Sequence, residues 1–249
     1  PVDKDQVMFY REDKKGQILE EGINEAGAMS SWIAAGTSYS THNQPMLPFY
    51  IFYSMFGFQR IGDLAWAAGD SRTRGFLIGG TAGRTTLNGE GLQHEDGHSH
   101  MLAATIPNCR TYDPTYGYEL AVIIREGIRQ MTEEQQDIFY YITVMNESYQ
   151  QPAMPEGIEQ GIIKGMYLLE EDKKEAAHHV QLLGSGTILR EVMAAADLLK
   201  ADFGITADLS PLTLFLLGAL ALLLVWAATR LIAAGTKRGM RKRRERKTL

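Results

Sequence analysis

The order of its apolar runs constrains this chain more than any other feature, because stretches with the length and composition of buried strands alternate with helical patterns. In a proline-flanked aromatic run, Leu47 to Phe52 reads as a buried strand that passes into a helix over Met55 to Ala68. Gly75 to Ile78 reads as a second strand, and IPNCRTY supplies another short extended segment. DPTYGYELAVIIREGIRQM then predicts a helix starting near Asp113 with Pro114 in its first turn, and DIFYYITVMNE a further strand. Ahead of all these, GINEAGAMSSWIAAG enters a helix whose alanines and glycines allow another backbone to come close. Strands followed by helices predict an α/β fold, a mostly parallel sheet with helices on both faces. Ile162 to Glu171 reads as one more short element, and EDKKEAAHH as a charged connector. VQLLGSGTILREVMAAADLLKADFG restarts the pattern: a strand, a glycine-serine turn and an amphipathic helix ending near Gly204. One such unit cannot bury both of its faces, so it reads as the start of a second α/β domain.

Between the second strand and the third lies GGTAGRTTLNGEGLQHEDGHSH, Gly79 to His100, where periodicity stops. Three glycines, three acids and two histidines fall within Gly89 to His98, a density of ionisable and turn-forming residues foreign to a packed core. A loop of this kind leaving a strand end suits close approach to a ligand, which makes Glu90 and His94 candidates for acid/base or ligand-positioning work. The spacing HxxxHxH of His94, His98 and His100 matches no compact zinc pattern, and the HExxH helix is absent, so no metal is assigned to these residues.

Charge divides the chain in two. Residues 1–229 hold 16 Lys and Arg against 29 Asp and Glu, a net charge of −13, whereas the remainder holds nine against one, a net charge of +8. Just before the basic tail, Pro211 to Thr229 is a 19-residue run without a charge. As a helix it would measure about 28 Å, enough to span a hydrocarbon core, so a transmembrane helix is predicted over residues 211–234 with a basic tail over 235–249. Its orientation is awkward, because the positive-inside tendency would place the acidic portion outside although the charged start PVDKDQVMFYREDKKGQ lacks the apolar core of a secretory signal. A C-terminal piece foreign to the preceding domain, by fusion or a misjoined frame, is the other reading. The single Cys109 has no CxxC or nucleophile context, which fits a reducing compartment. RKRRERK would attract any polyanion, but stop-transfer flanks share this composition, and no nucleic-acid partner is assigned.

The strings KGQILEEGINEAG, PFYIFYSMFGFQRIGD, RGFLIGGTAGRTTLNGEGLQHEDGHSH, IPNCRTYDPTYGYE, MPEG and VQLLGSGTILREV together resemble the homodimeric bacterial type of pyruvate dehydrogenase E1 component, of the transketolase superfamily. The resemblance runs from about Asp3 to Leu209. It implies a pyrimidine-binding domain for thiamine diphosphate over residues 1–175 and the start of a transketolase C-terminal-like domain over 176–210. The implied chemistry is decarboxylation of pyruvate and transfer of the two-carbon unit to a lipoyl group of E2. Glu25 matches the glutamate that hydrogen-bonds N1′ of the coenzyme, Phe56 the aromatic face beneath the pyrimidine, and Tyr53 a neighbouring active-site tyrosine. Glu90 and His94 match active-site positions, the histidine handling protons on the substrate-derived group or the acyl acceptor. The GDG…N signature that binds Mg²⁺ and the diphosphate is not matched by this sequence. The expected partners are therefore the diphosphate domain of a second subunit, within a homo-oligomer, and the lipoyl domain of E2, in the cytoplasm or at a membrane through 211–234. The polypeptide alone is expected to be catalytically silent. The competing reading is a membrane-anchored display protein with no catalysis, which would have no need to keep Glu25, Phe56, Glu90 and His94.

Overall fold

A computed structural model describes residues 13–80, 82, 94, 96–172 and 177–214. Helix α1 (Glu25–Gly36) opens the fold, capped by the Asn24 side chain, which accepts the Gly27 N–H at 3.1 Å. After the short α2 (Ser38–Thr41), β1 (Phe49–Tyr53) runs directly into α3 (Ser54–Asp70). β2 (Phe76–Gly80), α4 (Ser99–Ala103), β3 (Cys109–Tyr112), α5 (Gly117–Thr132) and β4 (Phe139–Thr143) follow. These strands form a four-stranded, wholly parallel sheet in the order β1-β2-β4-β3.

The period of two sorts strand residues between two cores. Leu77, Cys109, Phe139 and Tyr141 pack with Met29 and Trp32 of α1 and with Phe58, Ile61 and Ala65 of α3. Phe76, Ile78, Tyr140 and Ile142 face the other way, against Val122, Ile123 and Met131 of α5. The Trp32 indole N–H donates to the carbonyls of Pro48 at 3.0 Å and Phe76 at 3.1 Å, bolting α1 to the sheet. Helices thus cover both faces, as the alternation predicts.

Three local expectations need correction. β1 is an edge strand rather than a buried one: Phe49, Ile51 and Tyr53 are 48%, 71% and 49% exposed. Of these, Phe49 stacks on Phe76 at 4.6 Å, and Ile51 is the most open. The helix expected from Asp113 begins at Gly117 instead. The Glu119 carboxylate accepts the N–H groups of Thr115 at 2.6 Å and Tyr116 at 2.8 Å, which fixes the turn before the helix. Asp113 is drawn aside by the hydroxyls of Thr143 and Ser185.

The third correction concerns the chain beyond Leu209. After α6 (Glu159–Lys164), β5 (His179–Gly184) and α7 (Ile188–Phe203) form the expected strand–turn–helix, with Gly204 closing the helix at φ +64°. β6 (Thr206–Pro211) then pairs parallel with β5, Gly184 opposite Pro211. Leu212 and Leu214 continue extended, in antiparallel bridges to Met166 and Tyr112. The first four residues of the predicted membrane helix are therefore extended backbone, bonded to the β5 end and to the β3 edge. The uncharged run left over, 215–229, is 15 residues, about 22 Å as a helix against a hydrocarbon core of about 30 Å. Among the described residues no helix is long and apolar enough to cross a membrane. Residues 215–234 and the basic tail lie outside the described residues, as do Glu90 and most of its loop.

Candidate active site

The carboxyl ends of parallel strands are where open α/β sheets bind ligands, and the predicted residues gather there. Tyr53 is the last residue of β1, and Phe56 lies in the first turn of α3, so one strand–helix junction presents both rings. That junction is tight because Gly57 sits directly against the Phe52 ring. His94 comes from the segment after β2. Its imidazole lies 5.0 Å from Phe56, ring centre to ring centre at an 84° interplanar angle, and 6.0 Å from Tyr53. Tyr53 and Phe56 are themselves edge to face at 6.1 Å.

Glu25 enters from a different element, as the first residue of α1. Its carboxylate, 19% exposed, is ion-paired with Arg60, whose guanidinium also lies over the Phe56 ring at 4.7 Å. Arg60 is four residues beyond Phe56 on α3, so the two share a helix face. Beside them the Tyr50 phenol is pushed up to about 12, mainly by burial and further by the charges of Glu25 and Glu21. Four of the five residues singled out by sequence are thus brought together. The fifth, Glu90, lies outside the described residues.

Deeper in, a small polar cleft at the ends of β3 and β4 is lined by Asp96, His100, Asp113, Thr143, Ser185 and Thr187. His100 Nε2 lies 2.7 Å from the Thr143 hydroxyl, which donates to Asp113 Oδ1 at 2.6 Å, while the Ser185 hydroxyl donates to Asp113 Oδ2 at 2.8 Å. Asp113 thereby joins the main sheet to the turn before α7. Among the described residues no group of three His, Cys, Asp or Glu side chains converges as a metal site. His94 and His100 point into different surroundings. Cys109 is buried, and burial pushes its thiol up, away from reactivity.

Sequence reasoning missed Arg60, Asp96 and Asp113. Only Arg60 carried a usable signal, its i,i+4 relation to Phe56.

An aromatic face and a carboxylate, bridged here by Arg60, are the groups that fit a flat, amidine-bearing heterocycle such as an aminopyrimidine, which would take the place of the guanidinium between Phe56 and Glu25. A family model for the pyruvate dehydrogenase E1 component middle domain matches residues 1–152. The pyruvate dehydrogenase E1 component of Pseudomonas aeruginosa is 91% identical over 208 residues, 84% of this chain and 24% of that protein. The Escherichia coli K12 protein of the same name is 63% identical over 216 residues, 86% of this chain and 24% of that protein. The chain thus spans about a quarter of the length of the curated relatives it matches. Among solved structures, the transketolase of Leishmania mexicana aligns with TM-score 0.60 at 12% identity, covering 78% of this chain and 26% of that one. That of Campylobacter jejuni aligns with TM-score 0.55 at 21% identity, covering 74% and 27%. A split-gene transketolase, described as an inactive beta4 tetramer, gives 0.53 at 18% identity, covering 76% and 54%. At these identities the structures share the fold alone. By its match to the middle-domain family and its identity to these relatives, the chain belongs to the pyruvate dehydrogenase E1 component family.

Proposed function

We propose that this chain is the pyrimidine-binding part of a pyruvate dehydrogenase E1, working in thiamine diphosphate-dependent decarboxylation of pyruvate and reductive acetylation of the lipoyl group of E2. The observation that carries the reading is the meeting of Glu25, Tyr53, Phe56 and His94 from three separate stretches of chain. The coenzyme, when bound, supplies the nucleophilic carbon that attacks a 2-oxo acid. Phe56 offers the face on which its pyrimidine lies, and Glu25 holds the proton at N1′ that tunes the exocyclic amino group as a base. His94, edge-on to Phe56 and next to Tyr53, is placed to give or take a proton at the oxygen of the substrate-derived group or at the lipoyl sulfur. Mg²⁺ and the diphosphate are assigned to the diphosphate domain of a second subunit of a homo-oligomer, as the family resemblance implies.

The experiment mixes the pure chain with a separately produced diphosphate domain of an E1 relative, thiamine diphosphate and Mg²⁺, and follows pyruvate-dependent reduction of an electron acceptor. Activity is expected only in the mixture and is lost with Phe56→Ala or Glu25→Gln. Activity of the chain by itself, or a mixture indifferent to both substitutions, would sink the reading.

A further inference from the structure

We propose that Asp96 is a positioning residue for His94, tying the segment that carries the imidazole to the strand–helix junction that carries Tyr53 and Phe56. This rests on the reading of His94 as the group that handles protons. Asp96 stands two residues beyond His94 and is 5% exposed. Toward its own segment, Oδ1 accepts the N–H of His98 at 3.2 Å and of Ser99 at 3.0 Å, while Oδ2 accepts the Ser99 hydroxyl at 2.5 Å. The Ser99 oxygen in turn accepts the Tyr141 phenol at 2.8 Å.

Tyr141 is a fixed point: it is fully buried in β4, 4.6 Å from Phe58 and stacked on Phe52 at 6.1 Å. Toward the junction, Tyr141 stacks on Phe52, the residue that directly precedes Tyr53. Through Ser99 and Tyr141 one carboxylate is therefore referenced both to the centre of the sheet and to the end of β1 that leads into α3. Burial works to raise the pKa of Asp96, but the Ser99 hydroxyl and the N–H groups of Ser99 and His98 outweigh it and hold the carboxyl below its usual range. A carboxylate suits the place because both oxygens only accept, and each meets a donor. Ring contacts such as those of His94 with Phe56 and Tyr53 depend on orientation, so a fixed backbone two residues away helps to hold them.

The test is made on the full chain without coenzyme, by proton nuclear magnetic resonance. Wild type is expected to show Overhauser contacts from the His94 ring to Phe56 and Tyr53 and an upfield ring-current shift of His94. In Asp96→Ala both contacts and the shift are lost, while contacts among Leu77, Phe139 and Met29 persist. Asp96→Asn, which keeps one acceptor oxygen, recovers part of them. The proposal is overturned if Asp96→Ala keeps the His94 contacts at wild-type intensity. It is equally overturned if Ala and Asn both erase the sheet contacts, since Asp96 would then be a determinant of folding. No coenzyme is present, so either result stands apart from the fate of the thiamine reading.

Discussion

Gly57→Ala sets two opposing effects against each other at the junction that builds the site. In a helix interior alanine is favoured over glycine by about 1 kcal/mol, so on propensity alone the change stabilises α3. The structure opposes it: a Cβ at position 57 would lie 1.9 Å and 2.0 Å from two carbons of the Phe52 ring. That ring has nowhere to go, being 8% exposed, edge-on to Phe58 at 6.4 Å and stacked on Tyr141 at 6.1 Å. Relief needs a movement of more than an ångström by α3 or β1, which puts the cost at the upper end of overpacking, about 3 kcal/mol. The net expectation is destabilisation by about 2 kcal/mol, or a Tm lower by about 4–8 °C for a chain of this size. Thermal unfolding followed by far-ultraviolet circular dichroism reads it directly. Because the displaced elements carry Tyr53 and Phe56, the His94–Phe56 ring contact should weaken in the same variant. A Tm equal to or above wild type would refute the reasoning, since it would mean the junction has room that the Phe52 contact denies.

Glu119 is fully buried and takes the N–H groups of Thr115 and Tyr116 and the Tyr167 phenol, the last at 2.7 Å. Glu119→Ala orphans the two backbone donors and leaves the Tyr167 hydroxyl only its Tyr118 partner, and is expected to cost about 3–5 kcal/mol in urea unfolding; a cost under about 1 kcal/mol would contradict the capping role assigned to it. Burial outweighs those hydrogen bonds and raises its pKa, so its contribution to stability is complete below roughly pH 4.3, the unfolded value, and is lost as pH rises through the higher folded value. Glu119→Gln should flatten that fall in a Tm-against-pH series, and an unchanged slope counts against the assignment. Cys109 should resist a thiol reagent in the native chain and react fully in guanidinium, since burial both shields the sulfur and disfavours its thiolate; prompt native labelling, read by absorbance, would show that β3 opens far more readily than its packing implies.

The parallel α/β architecture was legible because each strand carries its own period and bounding turn residues, and each helix its own stripe. Literal strings singled out Tyr53, Phe56, Glu25 and His94, which the fold brings near one another. Legibility failed wherever a residue's meaning depends on a neighbour distant in sequence. FYIFY reads as a buried strand from its apolar content, yet an edge strand waiting for a covering surface has the same composition. Asp96 was one acid among several in the loop and Arg60 drew no reading, and only the fold sets Ser99 and, through it, Tyr141 at one and Glu25 beside the other. Pro211 to Leu214 reads as the start of an apolar helix until β5 and the β3 edge are present to pair with it.

The two edges of the main sheet differ in a way that bears on the proposed chemistry. The β3 edge is covered by this chain's own Leu214, through its bridge to Tyr112. The β1 edge, which ends in Tyr53, has no strand beside it among the described residues, and its outward face is Phe49, Ile51 and Tyr53. The segment leading into Glu25 adds Ile18, Leu19 and Ile23, at 73%, 71% and 97% exposed. Carbanion-type chemistry on a 2-oxo acid needs water excluded from the reacting carbon, and a site whose tyrosine is half exposed does not exclude it. Yet Phe49 and Ile51 share the Phe76–Ile78 face of the sheet, whereas Glu25 and Phe56 stand on α1 and α3, which cover the opposite face, so the open apolar surface and the proposed site meet only at Tyr53, the last residue of β1. A surface that shelters the site must therefore close over the carboxyl end of β1 rather than over Ile51 alone.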